Sequence, residues 1–182
     1  LYTPLMLILF ALIFRGVAFE FRGKVDHPAW KKVWDTSIFL GSFLPALLFG
    51  VAFANIFQGI PFDGEGIYHG NTLKLLNGYG LLGGILFVLL FIQHGANWLC
   101  IKTTGELQAR AVAVSEKNWL LLVPVAVVFL IASWFATDLY ANYLKNPVLF
   151  LVILTAVAAL FATRIFLARK TYFKAWFASA LT

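Results

Sequence analysis

Four stretches of this chain run for about twenty residues with no charge or only one, a pattern that hydrocarbon accepts and water does not. Ile38 to Phe57, Gly78 to Ile101 and Trp119 to Thr137 carry no Lys, Arg, Asp or Glu, and Pro147 to Ala168 carries only Arg164. At 1.5 Å per residue, about twenty helical residues cross a bilayer core of about 30 Å. Two shorter apolar pieces flank them. Leu1 to Phe14 would reach only about 21 Å, and the stretch from Lys174 to Thr182 starts a further apolar run. The expected fold is therefore an all-α integral membrane protein, a polytopic transmembrane helix bundle in a single domain over residues 1–182. Its four full spans are expected at about 38–57, 78–101, 119–137 and 147–168, with partial helices at about 1–14 and 174–182. Both ends read as those of an internal piece of a longer chain.

Composition agrees with the spans. Hydrophobic residues make up 62% of the chain, charged residues 12%, and the mean hydropathy is +0.87, more apolar surface than a soluble fold could cover. The net charge of +6 comes from short basic clusters between apolar runs. That is the habit of membrane-surface anchors, so nucleic acid is not an expected partner. Cys100 is the only cysteine, which rules out an internal disulfide.

The basic residues also orient the bundle. Arg15, Arg22, Lys24, Lys31 and Lys32 precede the first full span, Lys74 alone follows it, and then come Lys102, Arg110 and Lys117. Lys145 stands alone, and Arg164, Arg169, Lys170 and Lys174 close the series. By the positive-inside rule, loops 15–37, 102–118 and 164–174 are expected in the cytoplasm of a multi-pass protein. Trp30, Trp34, Trp98, Trp119, Trp134 and Trp176 fall near segment ends, where amphipathic rings favour the interface.

Two clusters stand out as candidate functional residues. Arg15 and Glu20 follow an apolar run, and intramembrane charges need partners or water. Five residues place them about 140° apart on a regular helix, so a direct pair requires a bend, which Gly16 would permit. Glu20 and Lys24 have the i,i+4 spacing instead, which suits a plain interfacial anchor. The second cluster is Gln93, His94 and Asn97, near one end of a span, with Gln93 and Asn97 on one face. A lone membrane histidine can ligate haem, but more often bonds a neighbouring helix, and the patch reads first as helix packing. Gly80 and Gly84, at GxxxG spacing, and Gly41 and Gly50 are expected to allow close helix approach, and Pro45 to kink its helix. Thr103 to Glu106 has capping-box spacing, with Glu106 and Arg110 as an i,i+4 pair, so a short helix is expected to start there. The stretch from Gln58 to Asn71, rich in turn formers, is expected to be irregular but ordered. From the residues alone, a transporter or channel segment using Glu20 and the Gln93 patch, or a b-type cytochrome using His94, both remain open.

The strings RGVAFEFRGK at 15–24, WDTSIFLGSFLPALLFGVAFANIFQGIPFD at 34–63 and HGANWLCIKTTGELQARA at 94–111 resemble subunit II of the cytochrome bd-type quinol oxidases. The resemblance covers nearly the whole chain. It implies a haem-free subunit of a complex that oxidises quinol and reduces dioxygen to water in the bacterial or archaeal cytoplasmic membrane. It further implies that haems b and d are held by the partner subunit I, that membrane lipid and quinone surround the complex, and that small single-helix subunits are possible companions. No cofactor is expected in this chain. The positions matching Glu20 and Arg15 would then take part in a proton route from the cytoplasm. The chain departs from the family's Leu-Leu-Asn-Pro at Leu75 to Gly78. Pro favours the first helical turn and Gly does not, so a looser start to that span is expected.

Overall fold

The structure, a computed structural model, describes residues 2–60, 64 and 72–182. Among these the regular structure is entirely helical: α1 Tyr2–Arg22, α2 Pro28–Gln58, α3 Gly78–Lys102, α4 Gly105–Ala136, α5 Leu139–Lys145, α6 Phe150–Ala168 and α7 Tyr172–Ala180, with 3₁₀ turns at Thr72–Leu75 and Pro147–Leu149. Five segments are long and apolar enough to cross a membrane: Tyr2–Arg22, Pro28–Gln58, Gly78–Lys102, Gly105–Ala136 and Pro147–Ala168. Most of the stretch expected to be irregular, Gln58 to Asn71, lies outside the described residues, as does His69. The chain divides into two compact units, residues 1–88 and 89–182, the division falling within α3.

The helices outrun their apolar cores, which corrects the expected loops 15–37, 102–118 and 164–174. Arg15 to Arg22 continues α1 without a break, leaving only residues 23–27 between α1 and α2. Likewise only Thr103 and Thr104 separate α3 from α4, and Arg164 lies inside α6. Charge on an exposed helix face does not stop a helix. Once outside hydrocarbon, the backbone keeps its internal hydrogen bonds until a terminating signal intervenes. At 21 residues α1 is about 31 Å long, and α4 at 32 residues about 48 Å.

In the first unit α1 packs on α2 through Ile8, Ala11, Arg15 and Ala18, spaced three and four apart. Ile8 and Ala18 are buried. A Cβ added at Gly41 would lie 2.6 Å from the Ala11 carbonyl oxygen and 2.8 Å from the Arg15 Cβ, so this glycine is where the two backbones approach. The turn is tied by the Trp30 indole, which donates to the Phe21 carbonyl at 2.8 Å, and by Arg22, whose Nε and Nη2 both donate to the Asp35 carboxylate. Pro28 occupies the first helical turn of α2, and the His27 ring accepts from the Ala29 N–H at 3.3 Å. Pro45 is buried inside the continuous α2.

The opposite side of α2 meets the start of α3 through glycine. A Cβ at Gly50 would stand 2.7 Å from the Gly84 Cα, and one at Gly84 2.8 Å from the Leu47 side chain. Phe53 and Phe87 stack beside this contact with centroids 5.4 Å apart. The start of α3 does not need the family's proline. Asn77 accepts the Gly80 N–H at 2.7 Å on its side-chain oxygen and donates to Asn55 at 3.1 Å and Gln58 at 3.0 Å, which caps the helix and anchors it to α2.

In the second unit Cys100, Ala111, Leu167 and Ala175 form a buried cluster where the end of α3, the start of α4, the end of α6 and the start of α7 converge. Gln108 closes the α3–α4 turn by donating to the Cys100 carbonyl at 2.8 Å. The expected capping box does not form. Thr104, not Thr103, is the N-cap and makes no side-chain cap bond, while the Thr103 hydroxyl turns back to the Leu99 carbonyl. Glu106 and Arg110 do pair, at 2.6 Å. Lys170, with φ of 56°, takes the left-handed conformation that reverses the chain from α6 into α7.

Replacing Gly50 by Ala should force α2 and α3 apart and cost about 1–3 kcal/mol. The check is a lower thermal midpoint of the full-length protein in detergent. Gly16→Ala, where nothing lies within 4 Å of an added Cβ, should leave the midpoint unchanged or raise it.

Candidate functional site

The two clusters expected from sequence lie in different units and behave differently. In the first unit, Arg15 is half-buried on the seam facing α2, while Glu20, 140° further round α1, is exposed. The bend that would join them is absent, because α1 is regular through Gly16. Among the described residues neither Arg15 nor Glu20 forms an ion pair, and Glu20 does not bond Lys24, so the expected i,i+4 anchor is not formed either.

The second unit holds a buried polar ladder between α3 and α4. Gln93 Nε2 donates to the Ser115 hydroxyl at 2.6 Å, and Ser115 donates onward to Asn97 Oδ1 at 2.7 Å. Asn118 Nδ2 donates to Gln93 Oε1 at 3.0 Å and to the Leu89 carbonyl at 2.9 Å. Asn97 Nδ2 reaches the Ala175 carbonyl of α7 at 3.5 Å. Gln93, Asn97, Ser115 and Asn118 are all buried. The amide dipoles and one hydroxyl satisfy one another, as packing contacts between membrane helices do, whereas a water-filled path would leave them open.

His94 points to α7 and away from the ladder. Its Nδ1 lies 3.0 Å from the Ser179 hydroxyl, and its ring sits 5.3 Å from that of Trp176, which also packs on Trp98 at 5.2 Å. Among the described residues no three His, Cys, Asp or Glu side chains come together as a metal site.

Ser115, Asn118 and Ser179 were not legible as site residues. Ser115 and Asn118 fall in what reads as a basic loop, and only their i,i+3 spacing on the face that also carries Leu122 could have marked them. A further pair also escaped notice: Arg164 donates to Glu116 at 2.5 Å, tying α6 to α4. Arg164, the one charge in the run from Pro147 to Ala168, thus reaches a carboxylate. A guanidinium near hydrocarbon is better neutralised by a fixed partner than left to find water.

Ser115→Ala would strip one buried bond from Gln93 and one from Asn97. Interhelical hydrogen bonds in membranes are worth about 0.6 kcal/mol each and at most about 1.7, so the loss should be about 1–3 kcal/mol in thermal or steric-trapping measurements on the full-length protein. Ser115→Thr, which keeps the hydroxyl, should recover part of it.

Comparison with known proteins places these features in a family. The family model for cytochrome bd terminal oxidase subunit II matches residues 1–182. The chain is 40% identical over 141 residues to cytochrome bd ubiquinol oxidase subunit 2 of Bacillus subtilis, covering 78% of this chain and 42% of that one. It is 46% identical over 119 residues to a probable cytochrome oxidase subunit 2 of Haemophilus influenzae, covering 63% of this chain and 32% of that one. It is 42% identical over 119 residues to cytochrome bd-I ubiquinol oxidase subunit 2 of Escherichia coli strain K12, again covering 63% of this chain and 31% of that one. The chain thus spans less than half the length of each of these relatives. Matched from its first residue to its last, it belongs to the cytochrome bd terminal oxidase subunit II family.

Proposed function

We propose that this chain is part of the haem-free subunit of a membrane quinol oxidase, which supports assembly of a complex whose haems b and d are held by a partner subunit I. The observation that carries this is the family match across all of residues 1–182. The reaction of the whole complex would be oxidation of quinol coupled to reduction of dioxygen to water. By the distribution of basic residues, the α1–α2, α3–α4 and α6–α7 turns would face the cytoplasm of the cell.

The residues of this chain do not suit a haem. A b-type haem spanning a bundle takes two axial ligands, commonly histidines, whereas among the described residues His94 is the one histidine within an apolar span, and it packs on Ser179 and Trp176 of α7. The chemistry is therefore assigned to the partner. The full-length subunit expressed alone should show no stoichiometric b-type band in a reduced-minus-oxidised spectrum, while the complex with its partner should. A band from the isolated subunit that vanishes in His94→Ala would overturn this reading.

Protons consumed at a buried oxygen-reducing centre must cross low-dielectric material, which they do along titratable groups and waters. Glu20, exposed near the end of α1 and without an ion pair among the described residues, suits a group that takes up and releases protons at the entrance of such a route. Arg15, half-buried about one turn and a half deeper and about 140° round α1, would add a fixed positive charge further along the helix without pairing with Glu20. In the assembled oxidase, Glu20→Gln should slow quinol oxidation about a hundredfold with haem content unchanged, the lower end of the effects of losing a proton-transfer group. Glu20→Asp should retain more activity than Glu20→Gln. Wild-type turnover of the Gln variant across the pH range would remove Glu20 from the route.

A further inference from the structure

Where α1 ends and α2 begins, the first unit holds an open cleft of about 560 Å³ whose walls include Arg22, Lys31, Lys32, Asp35, Thr36 and Phe39. That volume lies within the range of small-molecule sites. Its charges are largely arranged already. Arg22 grips Asp35 with two N–H groups, and Lys31 reaches Asp26 at 2.6 Å, while Lys32 has no ion-pair partner among the described residues. Three cations against two carboxylates leave one positive charge, the complement of a single phosphodiester.

The cleft also has a direction. Lys32, Thr36, Phe39 and Phe43 follow at steps of four, three and four residues, so they line one face of α2. Phe39 is 63% exposed and stacks on Phe43 with centroids 5.7 Å apart and planes at 12°. Phe39 is the second residue of the uncharged run that begins at Ile38. The cations therefore sit at headgroup level, with the exposed Phe39 and the half-buried Phe43 leading from them into hydrocarbon. A soluble anion would find the charges but leave the two rings unused.

We propose that this cleft binds an anionic phospholipid, its phosphate between Lys31 and Lys32 and one acyl chain lying along Phe39 and Phe43. Basic pockets between membrane helices on the cytoplasmic side recognise such headgroups. Only the leaflet from which the lipid comes rests on the orientation proposed above. Binding in detergent is indifferent to that orientation and to the proton role of Glu20, so it stands or falls separately from both.

The test is native mass spectrometry on the delipidated, full-length oxidase complex titrated with phosphatidylglycerol and, separately, phosphatidylcholine. One phosphatidylglycerol should be held that Lys31→Gln and Lys32→Gln weaken by about fivefold for each lysine removed. Phe39→Ala should weaken the same lipid without changing the charge, and excess inorganic phosphate should not displace it. Equal retention by the wild type and the double lysine variant would overturn the site. Phosphatidylcholine held there as tightly would also overturn it, and displacement by phosphate would identify a soluble-anion site instead.

Discussion

A peptide group in hydrocarbon has no water to bond, and each one left open costs several kcal/mol. Everything else in this chain follows from meeting that demand inside each segment. It makes the described regular structure helical throughout. It also removes the usual hydrophobic reason for helices to associate, since lipid is as apolar as leucine. The bundle must then be held by other means. The first unit uses close backbone approach, at Gly41 against α1 and Gly50 against α3. The second uses polar groups, with Gln93, Ser115, Asn97 and Asn118 bonded across α3 and α4. The large exposed apolar side chains that remain, such as Phe10 and Phe14 on α1 or Leu151 and Leu154 on α6, are what lipid or neighbouring helices would cover.

How much of this was legible depended on whether the signal was local. The apolar runs at 38–57 and 78–101 lie inside α2 and α3, and glycines at four-residue spacing marked real contact faces. Length and spacing report these directly. Helix ends were misplaced because charge was taken as a boundary. The run Arg15 to Arg22 is polar enough to leave hydrocarbon, but Gly16 alone does not end a helix whose internal hydrogen bonds remain intact. The same error hid Ser115 and Asn118 in a supposed loop. Their role depends on Gln93 and Asn97, 18 to 25 residues away along the chain, and no local pattern carries that pairing.

Asn77, the Asn of the family's own Leu-Leu-Asn-Pro, caps the start of α3 with Gly78 in the place of the proline. The family's proline would pre-set the first turn of α3, and Gly78 does not. The side chain of Asn77 holds that turn by accepting the N–H of Gly80 while bonding back to Asn55 and Gln58. A cap of this kind is worth about 1 kcal/mol. It also joins the start of α3 to the end of α2. These bonds were not legible from the residues around Gly78, because they run to residues about twenty positions earlier.

Glu20 and Asp138 stand apart from the other described carboxylates in having no ion pair. Among the described residues Asp26, Asp35, Glu106 and Glu116 each face a cation within 2.6 Å. Glu20 does not, and it lies in the last turns of α1, where the helix dipole disfavours negative charge. Lys or Arg would anchor that helix end more favourably, as Arg22 does. Among the described residues α1 and its packing on α2 give Glu20 no ion-pair partner. Packing gives no reason for the acid, since Ile8, Ala11, Arg15 and Ala18 already form the α1 face against α2. Exposed and without such a partner, its side chain is free for a role outside the helix itself, at a surface where the longer subunit meets water or another chain. The proposed proton entry would place such a group there.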